Sequence, residues 1–183
     1  MKILFNIPAY AGNELRYISE VFKNRKLSGD GEFTKKCSLL MEEKFNAKKV
    51  LLTTSGTHAL DMAALLLNLK PGDEVIVPAF GCAVLASSAL WVNAQPVFAD
   101  VRKDDYGIDP DAVEKKITER TKAIIVAHLF GQPTGGMEKI MQIARRHNLV
   151  VIEDAAQAFG AHIHIAGEWR GVGTLGDVGC FSF

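Results

Sequence analysis

An excess of charge of either sign is missing from this chain: 21 basic residues balance 21 acidic ones among 183. The electrostatic footprint of a nucleic-acid binder or of a protein held on an anionic membrane is therefore not there. Long apolar runs are missing too, so no transmembrane helix is expected. The opening stretch MKILFNIPAYAGNEL has neither a long apolar segment nor a clear small-residue cleavage site, the marks of a secretory signal. Cysteine is scarce. Cys37, Cys82 and Cys180 lie far apart with no paired spacing, which fits free thiols in a reducing compartment better than a disulfide framework or a zinc site. A cytoplasmic protein is expected. GxSxG and HExxH are absent, and so are internal repeats and low-complexity linkers.

What is present is an ordinary globular balance, 48% apolar and 23% charged. Asn13 to Asn24 reads as a helix with Leu15, Ile18, Val21 and Phe22 on one face. A second follows the SGDGEF loop, with Phe33, Cys37, Leu40, Met41 and Phe45 as its apolar side. From Lys49 onward strands and helices alternate. Strands are expected at Val50–Leu52, Val75–Val77, Pro96–Val101, Ala123–Ala127, Leu149–Ile152 and Asp177–Phe183. Helices are expected from Ser55 to about Leu69, Cys82 to Val92, Pro110 to about Ile117, and around Met137–Ala144. The helix up to Leu69 is apolar nearly all round, which predicts deep burial. Asp109 before Pro110 supplies an N-cap and a proline at the first helical position. Short connections between alternating elements imply an α/β fold, a mostly parallel sheet with helices on both faces.

Several tempting motifs fail on context. Gly171 to Gly176 matches GxGxxG, but a dinucleotide loop must follow a strand and open a helix, and this one precedes a strand. Gly131 to Gly136 has P-loop glycine spacing with Met137 and Glu138 where Lys and Ser/Thr are required. His162 and His164 share a face if Ala161 to Ile165 is a strand, but no third metal ligand accompanies them.

Two stretches carry chemistry. LVVIEDAAQ, Leu149 to Gln157, is a buried-strand run ending in Glu153 and Asp154. A carboxylate at the carboxyl end of a parallel strand can hold a positively charged ring nitrogen, and Gln157 can reach a second polar atom of the same ring. Asp154 reads equally as a cap for a following helix. The second stretch is Ser55-Gly56-Thr57-His58, at a strand-to-helix turn. Gly56 allows close backbone approach, and the amides of Thr57 and His58 would point outward as a phosphate site. Its plain alternative is an ordinary Ser or Thr cap. A phosphate anchor and an acid on one sheet edge fit a phosphorylated heteroaromatic cofactor.

In this order, SGTHAL, PGDEVIVPAF, QPVFADV, TKAIIVAHLFGQP, VVIEDAAQAFGA and GDVGCFSF resemble the DegT/DnrJ/EryC1/StrS family of sugar aminotransferases. KLSGDGEFTKKC looks like its dTDP-4-amino-4,6-dideoxygalactose transaminase branch. The resemblance implies a truncated aspartate-aminotransferase-like (fold type I) large domain. Residues 1–48 would be an N-terminal helical arm and 49–183 an incomplete domain binding pyridoxal 5'-phosphate (PLP; pyridoxamine phosphate during turnover), with the C-terminal small domain absent. It also implies transfer of an amino group from an amino acid, glutamate foremost, to a nucleotide-linked keto sugar by a homodimer. By resemblance, Asp154 pairs with the pyridine nitrogen and Gln157 bonds the phenolic oxygen. Gly56, Thr57, His58 and Ser182 hold the phosphate. Where relatives stack an aromatic ring on the cofactor this chain has Cys82; either Cys82 or Phe80 covers the ring. The Schiff-base lysine is expected beyond Phe183, Lys122 and Lys139 having the wrong context, so this chain alone is expected to be inactive. The alternatives are a PLP-family sugar dehydratase, a non-catalytic binding module and, more distantly, a nicotinamide-dependent oxidoreductase.

Overall fold

The structure, a computed structural model, describes residues 3–4 and 7–183. The part of the expected N-terminal arm at positions 1, 2, 5 and 6 lies outside the described residues. The chain divides after Val50 into two units. The first carries α1 (Glu14–Lys23) and α2 (Glu32–Phe45). Tyr17 and Phe33 bring their rings to 5.4 Å, and Glu42 accepts from the Val50 N–H at 3.0 Å and from Lys49.

The second unit, from Leu51, contains α3 (Gly56–Leu66), β1 (Glu74–Pro78), α4 (Val84–Trp91), β2 (Gln95–Ala99), α5 (Pro110–Lys116), β3 (Thr121–Ala127), α6 (Met137–His147), β4 (Val150–Asp154), β5 (His162–Ile165), β6 (Glu168–Gly171) and β7 (Val178–Cys180). Five strands form one sheet in the order β2-β1-β3-β4-β7, every pair parallel. The expected α/β architecture is the one observed.

Strand alternation divides the core in two. Val75, Val77, Ala123, Ile125, Ala127 and Ile152 face Leu60 and Ala63 of α3 and Leu85 and Ala89 of α4. Their neighbours Ile76, Ile124, Val126 and Val151 face Val113 of α5 and Met137, Ile140 and Ile143 of α6. Short apolar runs are therefore the natural sequence for these strands, because both faces are covered. The chain leaves β1 for β2 on one side and then crosses back to β3 on the other. That puts a topological switch between β1 and β3, where open α/β sheets leave a crevice at the strands' carboxyl ends.

Local chemistry sets the helix ends. Asp109 Oδ1 accepts from the Asp111 N–H at 2.9 Å, with Pro110 in the first turn. Arg145, Arg146 and His147 close α6, and Asn148 ends it in the left-handed region at φ 52°.

Four expectations are corrected. No strand forms at Val50–Leu52: the run finds no ladder partner among the described residues, and Leu51 and Leu52 stay exposed. The third helix stops at Leu66, before the left-handed Asn68, and buries only Leu60, Ala63 and Ala64. Leu65 and Leu66 are 59% and 67% exposed, because a single face of the helix meets the sheet. The last strand covers Val178–Cys180 alone, and Phe181 to Phe183 leave the ladder. Lastly, His162–Ile165 pairs with an unexpected β6 in an antiparallel hairpin outside the main sheet, joined by Ala166 and Gly167 at positive φ.

Candidate functional site at the carboxyl edge of the sheet

Asp154 is the last residue of β4, in register with Ala127 of β3 and Cys180 of β7. It follows Ile152 onto the α3/α4 face of the sheet and is only 9% exposed. No helix follows it: Ala155 to Gly160 are turns and irregular backbone. The helix-cap alternative is thereby removed. The Asp154 Oδ1 accepts from the Ala156 N–H at 3.0 Å, tightening a local turn, and the second carboxylate oxygen is left to accept. Burial raises this carboxyl's pKa above the usual aspartate value, only partly offset by the Ala156 bond. A buried anion without a full set of partners favours a cationic one. The same burial, with Asp154 beside it, pushes the Cys180 thiol up to about 12.

Gln157 is reached through that turn rather than along a helix. Its Oε1 accepts from the Phe130 N–H at 2.8 Å. A backbone N–H can only donate, so the amide's orientation follows from its partner and Nε2, a donor, is the end left over. Phe130 sits at φ 58°, ψ 22°, with its side chain 73% exposed. Left-handed backbone at a bulky residue is uncommon and here sits beside a candidate ligand group.

The start of α3 lies next to the segment after β7. A Cβ placed on Gly56 would fall 3.0 Å from Ser182 Cβ and 3.3 Å from its Oγ. The glycine therefore leaves a backbone cradle facing a serine hydroxyl. Ser55 is the N-cap, its Oγ accepting from the His58 N–H at 3.2 Å. This corrects one expectation, since the His58 amide is already used by the cap. The amides of Gly56 and Thr57, in the helix's first turn, are the ones without an intrahelical acceptor. The His58 ring turns to Thr54, Nδ1 to Oγ1, at 2.5 Å.

Cys82 and Phe80 follow β1. Cys82 is exposed, its carbonyl taking the Leu85 N–H at 3.1 Å. Phe80 is half-exposed and lies 5.5 Å from the Tyr106 ring at 41°. Both candidates for a ring cover thus sit at the carboxyl end of β1. Lys122 lies at the opposite end of β3 and donates to the Glu119 carbonyl at 3.1 Å, while Lys139 is ion-paired with Asp111 of α5. His162 and His164 are both exposed, and no group of three metal-ligating side chains occurs among the described residues.

Sequence reasoning missed Glu153. It is fully buried, and its carboxylate gathers the His128 ring and the N–H groups of Gly173, Leu175 and Gly176. The GxGxxG run, rejected as a nucleotide loop, wraps this carboxylate. The available signal was the doublet Glu153-Asp154 itself, because neighbouring strand residues must point to opposite faces.

These residues fit a phosphorylated pyridine. A buried acid suits a protonated ring nitrogen, an amide donor suits a ring oxygen, and the Gly56–Ser182 cradle with open amides suits a phosphate.

Known proteins resemble this chain over most of its length. A UDP-N-acetyl-3-dehydro-alpha-D-glucosamine 3-aminotransferase of Acidithiobacillus ferrooxidans is 50% identical over 129 residues, 70% of this chain and 34% of the relative. A GDP-perosamine synthase of Caulobacter vibrioides is 38% identical over 178 residues, 96% of this chain and 46% of the relative. Among solved structures, NtdA of Bacillus subtilis with bound cofactor PMP superposes with a TM-score of 0.76 at 36% identity, covering 80% of this chain and 33% of that one. The chain thus spans between a third and a half of the length of these proteins. Residues 8–183 match the family model of the DegT/DnrJ/EryC1/StrS aminotransferases, and the chain belongs to that family.

Proposed function

We propose that this chain forms the cofactor-holding part of a PLP-dependent enzyme that moves an amino group from an amino acid, glutamate foremost, to a nucleotide-linked keto sugar. The observation that carries the reading is the placement of a buried acid, Asp154, and the Gly56–Ser182 cradle along one edge of one sheet. The names of the relatives, aminotransferases acting on nucleotide sugars among them, support it. When bound, the cofactor supplies an electron sink for the carbanion formed at the amino donor.

The chain's own residues do the holding. Asp154 keeps a proton on the pyridine nitrogen: its carboxylate loses the cost of lonely burial when a cation arrives, so ring protonation and binding reinforce each other. Gln157, its Oε1 fixed by Phe130, presents Nε2 to the phenolic oxygen. Gly56 and Thr57 amides and the Ser182 hydroxyl receive the phosphate, with His58 held at the rim by Thr54. Cys82 or Phe80 covers a face of the ring. Residues from Leu51 on form the PLP-binding large domain in this reading, and the working enzyme is a cytoplasmic homodimer. Because Lys122 and Lys139 are engaged away from Asp154, residues 1–183 alone are expected to give no turnover with glutamate and a dTDP-4-keto-6-deoxysugar.

The test is an absorbance titration with PLP. The chain is expected to shift the cofactor spectrum saturably. Asp154→Asn should weaken binding by about tenfold or more, the worth of one hydrogen bond to a charged group. A wild-type chain that leaves the spectrum unchanged, or an Asn variant that binds equally well, refutes the reading.

A further inference from the structure

Glu153 has no place in the binding scheme above, yet four donors close on its fully buried carboxylate. Its Oε1 accepts from Leu175 N–H and Gly176 N–H, each at 2.7 Å. Its Oε2 accepts from Gly173 N–H at 2.9 Å and from His128 Nε2 at 3.0 Å. The His128 Nδ1 in turn accepts from the Thr134 N–H at 3.1 Å, so the ring's proton sits on Nε2 and is given to Glu153. Burial alone would push this carboxyl's pKa up, but the His128 bond and the backbone N–H bonds outweigh it and hold it below the usual value. Successive backbone N–H groups closing on an anion form a nest, the same device that elsewhere receives phosphate. Here the anion is part of the protein.

The loop it grips leads directly to the phosphate cradle. Gly173 packs so closely on the end of the chain that a Cβ there would lie 2.3 Å from the Phe181 ring, and its φ of 84° already requires glycine. Its carbonyl oxygen lies 2.0 Å from where a Cβ on Gly179 would be. Gly176 packs on the Val151 carbonyl, 2.6 Å from its own virtual Cβ, and Asp177 exchanges two 2.8 Å bonds with Val151, one through its N–H and one through its carboxylate. Contacts therefore run from Glu153 to Gly173, from Gly173 to Gly179 and Phe181, and from there to Ser182 against Gly56.

We propose that Glu153 is a positioning residue for the phosphate end of the cofactor site, acting through the 173–176 loop to set Ser182 against the start of α3. The proposal rests on the PLP reading above. The Asp154 ring contact belongs to the opposite face of the same strand and does not pass through this loop.

The test uses the full chain and two ligands, PLP and its dephosphorylated form pyridoxal, whose ratio of dissociation constants reports the phosphate contribution alone. Glu153→Gln keeps the shape but cannot satisfy the nest: in either rotamer its NH2 group faces two N–H donors. The ratio of pyridoxal Kd to PLP Kd is expected to fall at least about tenfold, the equivalent of about 1.4 kcal/mol of lost phosphate binding, at temperatures where circular dichroism shows the variant folded. Glu74→Gln, which disturbs a buried carboxylate at the other end of the sheet, should lower thermal stability and leave the ratio within about threefold of wild type. That separates positioning from general destabilisation. If Glu153→Gln does not fold, His128→Asn removes one of the four donors and should give the same change at smaller size. A wild-type chain that binds PLP no better than pyridoxal overturns the functional reading and this inference with it. A wild-type phosphate preference that survives in the Glu153 and His128 variants overturns this inference alone.

Discussion

Gly56→Ala should separate fold stability from cofactor binding. In the interior of a helix, replacing Gly by Ala gains up to about 1 kcal/mol, and less in the first turn. Against this stands a single contact. The new Cβ would lie 3.0 Å from Ser182 Cβ, where carbon atoms prefer about 3.5–4.0 Å. Ser182 is exposed and lies beyond the last hydrogen-bonded strand residue, so it can retreat by about half an ångström without disturbing the core. The two terms are of similar size and opposite sign, and the urea midpoint should move by the equivalent of less than about 1 kcal/mol. Binding is a different matter. The retreat moves the serine hydroxyl off the cradle and puts a methyl group beside the Gly56 amide. Loss of one hydrogen bond to a charged phosphate costs about 1.5–3 kcal/mol, so PLP affinity should fall by about ten- to a hundredfold. Equilibrium unfolding and a PLP titration on the same preparation measure both. A variant that binds PLP within about twofold of wild type would show that the phosphate does not sit at the Gly56–Ser182 contact, and the site would have to be rebuilt elsewhere.

Asp154→Asn is expected to stabilise the ligand-free protein at neutral pH. The folded-state pKa of Asp154 is raised by burial, so wild-type stability falls as pH climbs from about 3.9, the unfolded value, through the folded one. The variant lacks this loss, and the gap between the two melting curves should close below the unfolded value; a variant less stable than wild type at pH 7 would contradict it. Glu74, held below the usual range by hydrogen bonds from Thr118 and Arg120, behaves oppositely. Its contribution is present above the unfolded glutamate pKa and is lost as pH falls through the folded one, and Glu74→Gln should remove that acid dependence and cost about 1–3 kcal/mol. Of the three thiols, Cys37 and Cys82 are exposed and Cys180 is buried with its pKa pushed up to about 12. A disulfide-exchange reagent at pH 8 should therefore titrate two thiols in the native protein and the third only on unfolding; rapid reaction of all three would refute the burial of Cys180.

The main sheet was legible because its strands are short apolar runs bounded by turns, and nothing else accounts for EVIVP or LVVIED in a chain of this polarity. The Asp109-Pro110 start of α5 was legible for an equally local reason, the cap hydrogen bond and the fixed φ of proline. What failed depended on partners. Val50 to Leu52 has the apolar character of a strand, but a strand exists only where a neighbour completes its ladder. The apolar circumference of α3 predicted burial on all sides, while packing on a sheet buries one. The β5–β6 hairpin turns on Ala166-Gly167, where only the second residue advertises positive φ. In the site, Asp154, Gln157, Gly56 and Ser182 were singled out and stand along the sheet's carboxyl edge. The competition for the His58 amide was not foreseen, because a cap and a ligand both require the same amide and only the Ser55 rotamer decides between them. Glu153 was passed over for a related reason: its partners come from a glycine loop about twenty residues further on, which local pattern cannot reach.

Glu153 and Asp154 are adjacent, chemically alike and about 3.3 Å apart along the strand, yet one is walled into the architecture and the other faces the ligand edge. The parity of β4 decides which of them faces which way. A single-residue insertion or deletion between Leu149 and Asp154 would exchange their faces, presenting a longer acid to the cofactor edge and a shorter one, a methylene out of reach, to the glycine loop. A point substitution in β4 leaves its parity intact, but a frame slip of one residue would disable the site and its scaffold together. The length of β4, and not only its side chains, is therefore part of the site.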